Sequence, residues 1–255
     1  VVKTLASAVV AGTPVLYATL GEILTERSGV LNLGLEGMML VGGMAGFAAT
    51  AATGNVFIGV AVSLIAGAAL ALVHAFFTVS IGVNQVVSGL SLTLVGTGIA
   101  SYFGKPLVGQ AAKDSFQTLP IPLLSDIPVI GPILFTQNLF VYFSFLLVPA
   151  LFYFIYRTRP GLNLRAVGES PSTADAQGIS VIGARCLYTL LGGALVGMGG
   201  ASTRTGRKIL PPGAAGLPLA WSFLLSGTPG GPLWAPIFLA AWKLSSSVCR
   251  WPGCL

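Results

Sequence analysis

The sequence predicts an all-α protein, a polytopic transmembrane helix bundle with six spans and an irregular C-terminal region. Of its 255 residues, 54% are hydrophobic and 8% are charged, whereas a soluble domain carries about 25% charged residues. The mean hydropathy is +0.87. Because a soluble fold of this length could not bury so much apolar surface, lipid is the expected solvent for most of the chain.

Six apolar runs are long enough to cross a bilayer, which takes about 17–25 helical residues. They occupy residues 5–24, 35–53, 56–78, 86–103, 139–156 and 180–201. The runs are rich in glycine and alanine, as expected where helices pack closely in lipid. Residues 1–201 are therefore predicted to form one transmembrane domain.

The chain changes character after residue 201. Arg204, Arg207 and Lys208 follow one another closely, and prolines interrupt the apolar runs that remain. A proline in a helix interior costs about 3 kcal/mol, so no span can be drawn in this part of the chain. Residues 202–255 are predicted to be an atypical C-terminal segment.

Two long connections between the apolar runs differ in basic residues. Residues 104–138 contain two, and residues 157–179 with the start of the next run contain four. These are Lys105 and Lys113 in the first connection, and Arg157, Arg159, Arg165 and Arg185 in and after the second. Because basic residues collect in cytoplasmic loops, the second connection is predicted to be cytoplasmic and the first external.

The connection between the first two apolar runs concentrates polar residues. Residues 21–40 read G-E-I-L-T-E-R-S-G-V-L-N-L-G-L-E-G-M-M-L. Glu26 and Arg27 are typical of a solvated turn. Asn32 and Glu36 stand where polar groups persist only if protein or a water-filled cavity satisfies them. They either cap and hydrogen-bond the neighbouring backbone or line a solute route.

A second polar motif opens the fourth apolar run, where residues 83–90 read V-N-Q-V-V-S-G-L. Asn84 and Gln85 could hydrogen-bond a polar solute, or they could join transmembrane helices. The single histidine, His74, ends the preceding run. A lone membrane histidine is more typical of a packed hydrogen-bonding residue than of a proton relay.

A third motif, residues 164–179, reads L-R-A-V-G-E-S-P-S-T-A-D-A-Q-G-I. Ser170 can cap a helix, Pro171 suits the first helical position, and Gly178 suits the end. The pattern predicts a helix that is too short to span a membrane and that lies in the basic connection.

The three motifs together resemble those of one family. Residues 26–39, 83–90 and 164–179 are similar to the signatures of permeases that work with basic-membrane-protein-type binding lipoproteins. These permeases import nucleosides and are related to the ribose and branched-chain amino acid permeases. The motifs occur in the family's order over residues 1–200, so the resemblance implies a transmembrane permease domain at residues 1–201.

The resemblance implies roles for the motif residues. Residues 164–179 would form the coupling helix that docks on an ATPase, and the coupling residues implied are Arg165, Glu169, Ser170 and Asp175. A solvated connecting helix is the alternative for that segment. The solute-path residues implied are Asn32, Glu36, Asn84 and Gln85. The implied partners are an ABC ATPase, a substrate-binding lipoprotein, a second homologous permease and membrane lipid.

The predicted function is the membrane-spanning subunit of an ABC importer that moves a small polar solute, expected to be a nucleoside, across a prokaryotic inner membrane. The chain lacks GxxxxGK[ST], so a separate ATPase must supply the energy. One histidine and no metal-ligand spacing argue against an enzyme, and scattered basic residues argue against a nucleic-acid partner. No cofactor or metal is expected. The alternatives are a sugar permease or a secondary transporter, which would bury paired ionisable groups.

Residues from about 202 onward are predicted to be translated out of frame. If each codon's last base is read with the first two bases of the next, synonymous codons for residues 208–219 can yield an asparagine, one further residue and T-A-G-R-G-W-I-A-L. That string resembles the family's next motif. Residues 226–232 can yield W-N-P-W-R-A and residues 235–243 can yield A-Y-L-F-G-G-V-E in the same frame. A divergent C-terminal segment is the alternative.

Overall fold

The computed structural model describes residues 2–107, 118–120 and 135–204, and it is helical over most of them. The helices are α1 (Val2–Arg27), α2 (Leu35–Thr53), α3 (Val56–Ala75), α4 (Gln85–Gly104), α5 (Leu139–Arg157), α6 (Arg159–Glu169), α7 (Pro171–Ala176) and α8 (Val181–Arg204). A π-helical segment, Phe76–Ile81, extends α3, and a 3-10 turn, Lys105–Leu107, extends α4. Strand β1 (Thr118–Pro120) pairs antiparallel with β2 (Thr136–Asn138).

Parts of two sequence predictions fall outside the described residues. These are most of the 104–138 connection and the C-terminal segment beyond Arg204. The boundary predicted between residues 201 and 202 therefore stays a prediction, as does the shifted reading frame.

Within the described ranges, five helices are long and apolar enough to cross a membrane, whereas the sequence predicts six. They are Leu35–Thr53, Val56–Ile81, Gln85–Leu107, Leu139–Arg157 and Val181–Ser202. The predicted run 5–24 does lie within a helix, the 26-residue α1. Helix α1 is not among the five. The described part of the chain is thus multi-pass and helical, with five candidate spans.

Short polar or glycine residues mark the helix ends. The side chains of Asn55 and Asn84 accept hydrogen bonds of 2.9 Å from backbone N–H groups in the first turns of α3 and α4, which satisfies donors that a helix start leaves unpaired. Gly54 after α2 and Gly82 after the π-helical segment have φ angles of 69° and 79°. Glycine takes this left-handed conformation without steric cost, so both helices end sharply there.

Helix α8 packs against α1, α2 and α3. Its glycines lie directly against neighbouring backbones: a Cβ atom at Gly21 of α1 would be 2.5 Å from the carbonyl oxygen of Gly192, and one at Gly42 of α2 would be 2.6 Å from the Cα of Gly197. Side chains larger than a hydrogen atom would separate these helices. In lipid, no hydrophobic effect drives helices together, so van der Waals contacts from such close packing stabilise their association.

Helix α8 runs antiparallel to both α1 and α3. Pro14 in the middle of α1 lies beside Gly199, and Gly21, further along α1, lies beside Gly192. On α3, Ser63 meets Gly197, and Ala71 meets Gly193. The connections formed by residues 28–34, 82–84 and 158–180 consequently lie at one end of the bundle. Residues 54–55, between α2 and α3, lie at the other. We call the first end the basic end, because it carries the arginines at 27, 157, 159, 165 and 185.

The first testable prediction concerns which end faces the cytoplasm. Because basic residues favour the cytoplasmic side, Ser172 at the basic end is expected inside and Thr53 outside; both residues are exposed. In a chain whose three native cysteines are replaced by serine, Thr53→Cys should react with a membrane-impermeant maleimide on intact cells. Ser172→Cys should react only after permeabilisation. Labelling of position 172 but not of position 53 on intact cells would show that the orientation is the opposite of the predicted one.

Candidate functional site

The candidate site centres on the connecting loop, residues 28–34, between α1 and α2. Its odd and even positions have opposite surroundings: Ser28, Val30 and Asn32 are at most 1% exposed, whereas Leu31 and Leu33 are 36% and 42% exposed. Irregular backbone at the end of a membrane bundle needs protein groups or water to satisfy its N–H and C=O groups. The structure supplies side chains from four helices for this purpose.

Helices α1 and α8 hold one side of the loop. The carboxylate of Glu22 accepts a hydrogen bond of 3.1 Å from the backbone N–H of Asn32. Arg185 of α8 donates from Nε to the carbonyl oxygen of Ser28 at 3.2 Å. The bond from Arg185 involves a charged group, and such bonds are stronger than neutral ones.

Helices α3 and α4 hold the other side. Gln85 accepts a hydrogen bond from the backbone N–H of Leu31 at 2.7 Å, and His74 Nε2 lies 3.2 Å from the carbonyl oxygen of the same residue. Thr93 donates to the carbonyl oxygen of Leu33 at 3.1 Å. The exposed side of the loop is therefore tied through its backbone, while its leucine side chains stay outside.

The structure gives the four predicted solute-path residues different surroundings. Asn32 is buried, and its side-chain oxygen accepts from the backbone N–H of Gly34 at 3.0 Å, so it shapes the loop itself. Gln85 binds the loop, as described above. Asn84 is exposed at the start of α4 and caps that helix. Glu36 is exposed in the first turn of α2. All four lie at the basic end, but the side chains of Asn32, Asn84 and Gln85 hydrogen-bond groups of the protein itself.

The predicted coupling residues lie on α6, α7 and the junction between them. The predicted short helix is α7, and a second helix, α6, precedes it. Ser170 separates the two, with φ and ψ of −145° and 85°. Ser170 occupies the N-cap position of α7 as predicted. Its hydroxyl group, however, pairs with the Thr173 hydroxyl at 2.7 Å instead of with a backbone N–H group, so the predicted side-chain cap is wrong. Gly178, with φ of 80°, follows the end of α7 as expected.

The other three coupling residues differ in exposure. Glu169 and Asp175 are exposed on the outer surface of the basic end. Arg165 is partly buried, and its guanidinium carbon lies 5.3 Å from the centroid of the Tyr156 ring. Arg27 approaches the same ring, at 6.0 Å, and donates a hydrogen bond of 3.2 Å to the Tyr156 hydroxyl. Two arginines on one tyrosine join the ends of α1, α5 and α6 through cation–π contacts.

Sequence reasoning missed several residues that build this site. It treated His74 as a packed hydrogen-bonding residue, and the structure confirms that role, but it did not identify the loop as the partner. Ser88, Thr93 and Gly168 were not singled out. Thr93 follows Gly89 by four positions, so the helical period that puts Gly89 against the loop could have indicated Thr93 as well.

The described helices and their polar end define the class: a multi-pass helical membrane protein. The chain belongs to the family described as the permease component of branched-chain amino acid transport systems, which it matches over residues 4–240. This family consists of transport permeases and not of enzymes. The resemblance drawn from the three motifs is thereby confirmed.

Individual relatives carry ABC permease names. A putative glucose ABC transporter permease of Haloferax volcanii is 44% identical over 195 residues, which cover 75% of this chain and 59% of that protein. A nucleoside ABC transporter permease of Lactococcus lactis is 34% identical over 77% of this chain and 65% of its own length. A guanosine ABC transporter permease of Bacillus subtilis is 34% identical over 73% of this chain and 62% of its own length. The chain thus spans about three fifths of the length of these relatives. No solved structure matches it.

Proposed function

We propose that this chain is the membrane-spanning permease subunit of an ABC importer that translocates a small polar solute. One observation carries the proposal beyond family membership: the segment with the coupling motif packs directly on the polar connecting loop. A Cβ atom at Gly168 of α6 would overlap the carbonyl oxygen of Arg27, immediately before the loop. An importer needs such a junction, because ATP-driven movement at one surface must reach the helices that enclose the solute.

The proposed partners follow from the chemistry of the chain and from its relatives. The chain has no phosphate-binding glycine motif of its own, so a separate ATPase would dock on α6 and α7, with Arg165, Glu169, Ser170 and Asp175 at or near the contact. A substrate-binding lipoprotein would deliver the solute on the opposite side of a prokaryotic inner membrane. A second, homologous permease would complete the translocation path.

The solute class is a nucleoside, with a sugar as the alternative. Two relatives at 34% identity are named for nucleoside or guanosine transport, and one at 44% is named for glucose. Both classes present a ring with several hydroxyl groups, which amide and carboxylate side chains can bind. Glu36, exposed in the first turn of α2, is the strongest of the four proposed path residues, because Asn32, Asn84 and Gln85 bind backbone groups.

The second testable prediction is ATP-dependent uptake. Cells deficient in nucleoside and glucose import, and supplied with this chain, its ATPase, its second permease and its binding lipoprotein, should accumulate labelled guanosine. Replacement of the P-loop lysine of the ATPase should abolish uptake, because that lysine holds the transferred phosphate. The matched control is the same strain without the binding lipoprotein.

Accumulation of labelled glucose alone would favour the sugar alternative. Uptake that survives the ATPase substitution but disappears when an ionophore collapses the ion gradient would identify a secondary transporter. Accumulation of neither solute above the lipoprotein-free control would contradict the proposed function.

A further inference from the structure

The connecting loop is in contact with the proposed ATPase-docking segment. Gly168 of α6 lies against the carbonyl oxygen of Arg27, and a Cβ atom at Gly168 would also be 3.4 Å from the backbone nitrogen of Gly29. Arg185, at the start of α8, donates to the carbonyl oxygen of Ser28 at 3.2 Å. With no side chain between α6 and residues 27–29, a displacement of α6 toward the loop meets backbone atoms directly.

The opposite side of the loop is fastened to the two helices that follow. His74 near the end of α3 and Gln85 at the start of α4 both bind Leu31, at 3.2 Å and 2.7 Å. Thr93, two turns further along α4, binds Leu33. The connecting loop, residues 28–34, therefore contacts the docking segment on one side and α3 and α4 on the other.

His74 joins three elements through its two ring nitrogens. Its side chain is fully buried. Because a carbonyl oxygen can only accept, Nε2 carries the hydrogen that binds Leu31, and Nδ1, 3.0 Å from the Ser88 hydroxyl, accepts from that group. One neutral imidazole thus bridges α3, α4 and the loop. The π-helical segment begins two residues later, and Thr78 within it donates to the carbonyl oxygen of His74.

The loop is held together by packing and by hydrogen bonds within it. Ser28, Val30 and Asn32 are packed inside the protein, and Asn32 is fixed both by Glu22 and by its own bond to Gly34. Packed protein interiors have low compressibility and transmit displacement. A push on residues 27–29 would therefore reach Leu31 and Leu33 instead of being absorbed between them.

We propose that the connecting loop passes movement of the ATPase-docking segment to α3 and α4, and that His74 is the positioning residue that latches the loop to these helices. The proposal rests on the proposed importer function. It assigns His74 a role in coupling and not in binding the solute, since both ring nitrogens are occupied by the protein. The Nε2–Leu31 bond is the critical contact.

Two conservative substitutions separate the two bonds of His74. The amide nitrogen of glutamine reaches the position of Nε2, so His74→Gln keeps a donor for the carbonyl oxygen of Leu31. The shorter asparagine reaches only the position of Nδ1, so His74→Asn keeps a partner for Ser88 but loses the latch. Both variants replace the ring with a neutral amide, and each serves as the control for the other.

The experiment has two readouts on the full chain. In the first, the purified chain in detergent is followed by hydrogen exchange, and residues 28–34 should exchange faster in His74→Asn than in His74→Gln. In the second, the complex with ATPase, second permease and binding lipoprotein is reconstituted in proteoliposomes with labelled guanosine. Guanosine transported per ATP hydrolysed should fall roughly fivefold or more in His74→Asn, with basal ATP hydrolysis unchanged, and stay near the parental value in His74→Gln.

Equal hydrogen-exchange rates of residues 28–34 in the two variants would contradict the proposed role of the His74–Leu31 bond. Faster exchange in His74→Asn with an unchanged ratio of guanosine transported to ATP hydrolysed would contradict the proposal that the loop passes movement to α3 and α4. The loop would then have a structural role only. A parental complex that hydrolyses ATP but transports neither guanosine nor glucose would count against the importer function instead. In that case the hydrogen-exchange measurement would still test whether His74 holds the loop through Leu31.

Discussion

Gly67→Ala is expected to destabilise the protein, although alanine is the better helix former. A Cβ atom at Gly67 of α3 would overlap the carbonyl oxygen of Gly193 and lie 2.8 Å from the Cα of Gly197, and both of these atoms are backbone atoms of α8. Backbone cannot rotate away as a side chain can, so the helices must separate. Overpacking of this kind costs about 1–3 kcal/mol.

The cost is raised by a bond that crosses the same interface. The hydroxyl group of Ser63 on α3 donates to the carbonyl oxygen of Gly197 on α8, and Ser63 is fully buried. Separation of the helices lengthens this bond and leaves a buried acceptor poorly satisfied. A poorly satisfied group of this kind costs about 1–3 kcal/mol in addition.

Gly98→Ala is the matched control, because a Cβ atom at Gly98 of α4 would meet no atom within 4 Å. Alanine in a helix interior is favoured over glycine by about 0.5–1 kcal/mol, so this variant should keep or raise stability. The measurement is the temperature at which the detergent-solubilised chain loses its monodisperse peak. Gly67→Ala should lower that temperature by on the order of 5 °C relative to Gly98→Ala. Equal midpoints would show that α3 and α8 are not packed as described.

The positions of the membrane helices could be predicted well from the sequence, because the lipid solvent imposes long apolar runs. The predicted run 35–53 has the bounds of α2, and the run 139–156 ends one residue before α5 does. The run 56–78 stops short of the helical end at Ile81, since the π-helical turn includes a serine that hydropathy alone excludes.

The candidate site could be predicted only in part. The polar loop and the coupling motif were visible, but their contact depends on Gly168 meeting Arg27, residues 141 positions apart in the chain (168 minus 27). Pairs such as His74 with Leu31 are equally remote, and no periodicity within one helix indicates them. Asn84 is the opposite case: an asparagine immediately before an apolar run is a local capping signal, and the structure gives it that place.

The C-terminal segment, residues 202–255, is the part of the chain for which a shifted reading frame is proposed. The family match extends to residue 240 and so does not by itself mark a break at residue 202. The proposal of a shifted frame instead depends on the three strings that one alternative frame can encode over residues 208–219, 226–232 and 235–243. Synonymous codons make a single match easy to obtain, but three matches in one frame at consistent spacing are not expected by chance.

Restoration of the alternative frame from about residue 202 is expected to raise the transport rate above that of the present chain. The restored residues 235–243 would form an apolar run without Pro236, Trp242 and Lys243 of the present frame, and removal of an interior proline avoids about 3 kcal/mol of helix destabilisation. The coding DNA gives the first measurement, since stop codons or unrelated residues in that frame would contradict the proposal. The second is labelled guanosine uptake with the present and the restored chain in parallel, each with the ATPase, second permease and binding lipoprotein. Equal uptake by both chains would show that residues 202–255 are a divergent but functional segment.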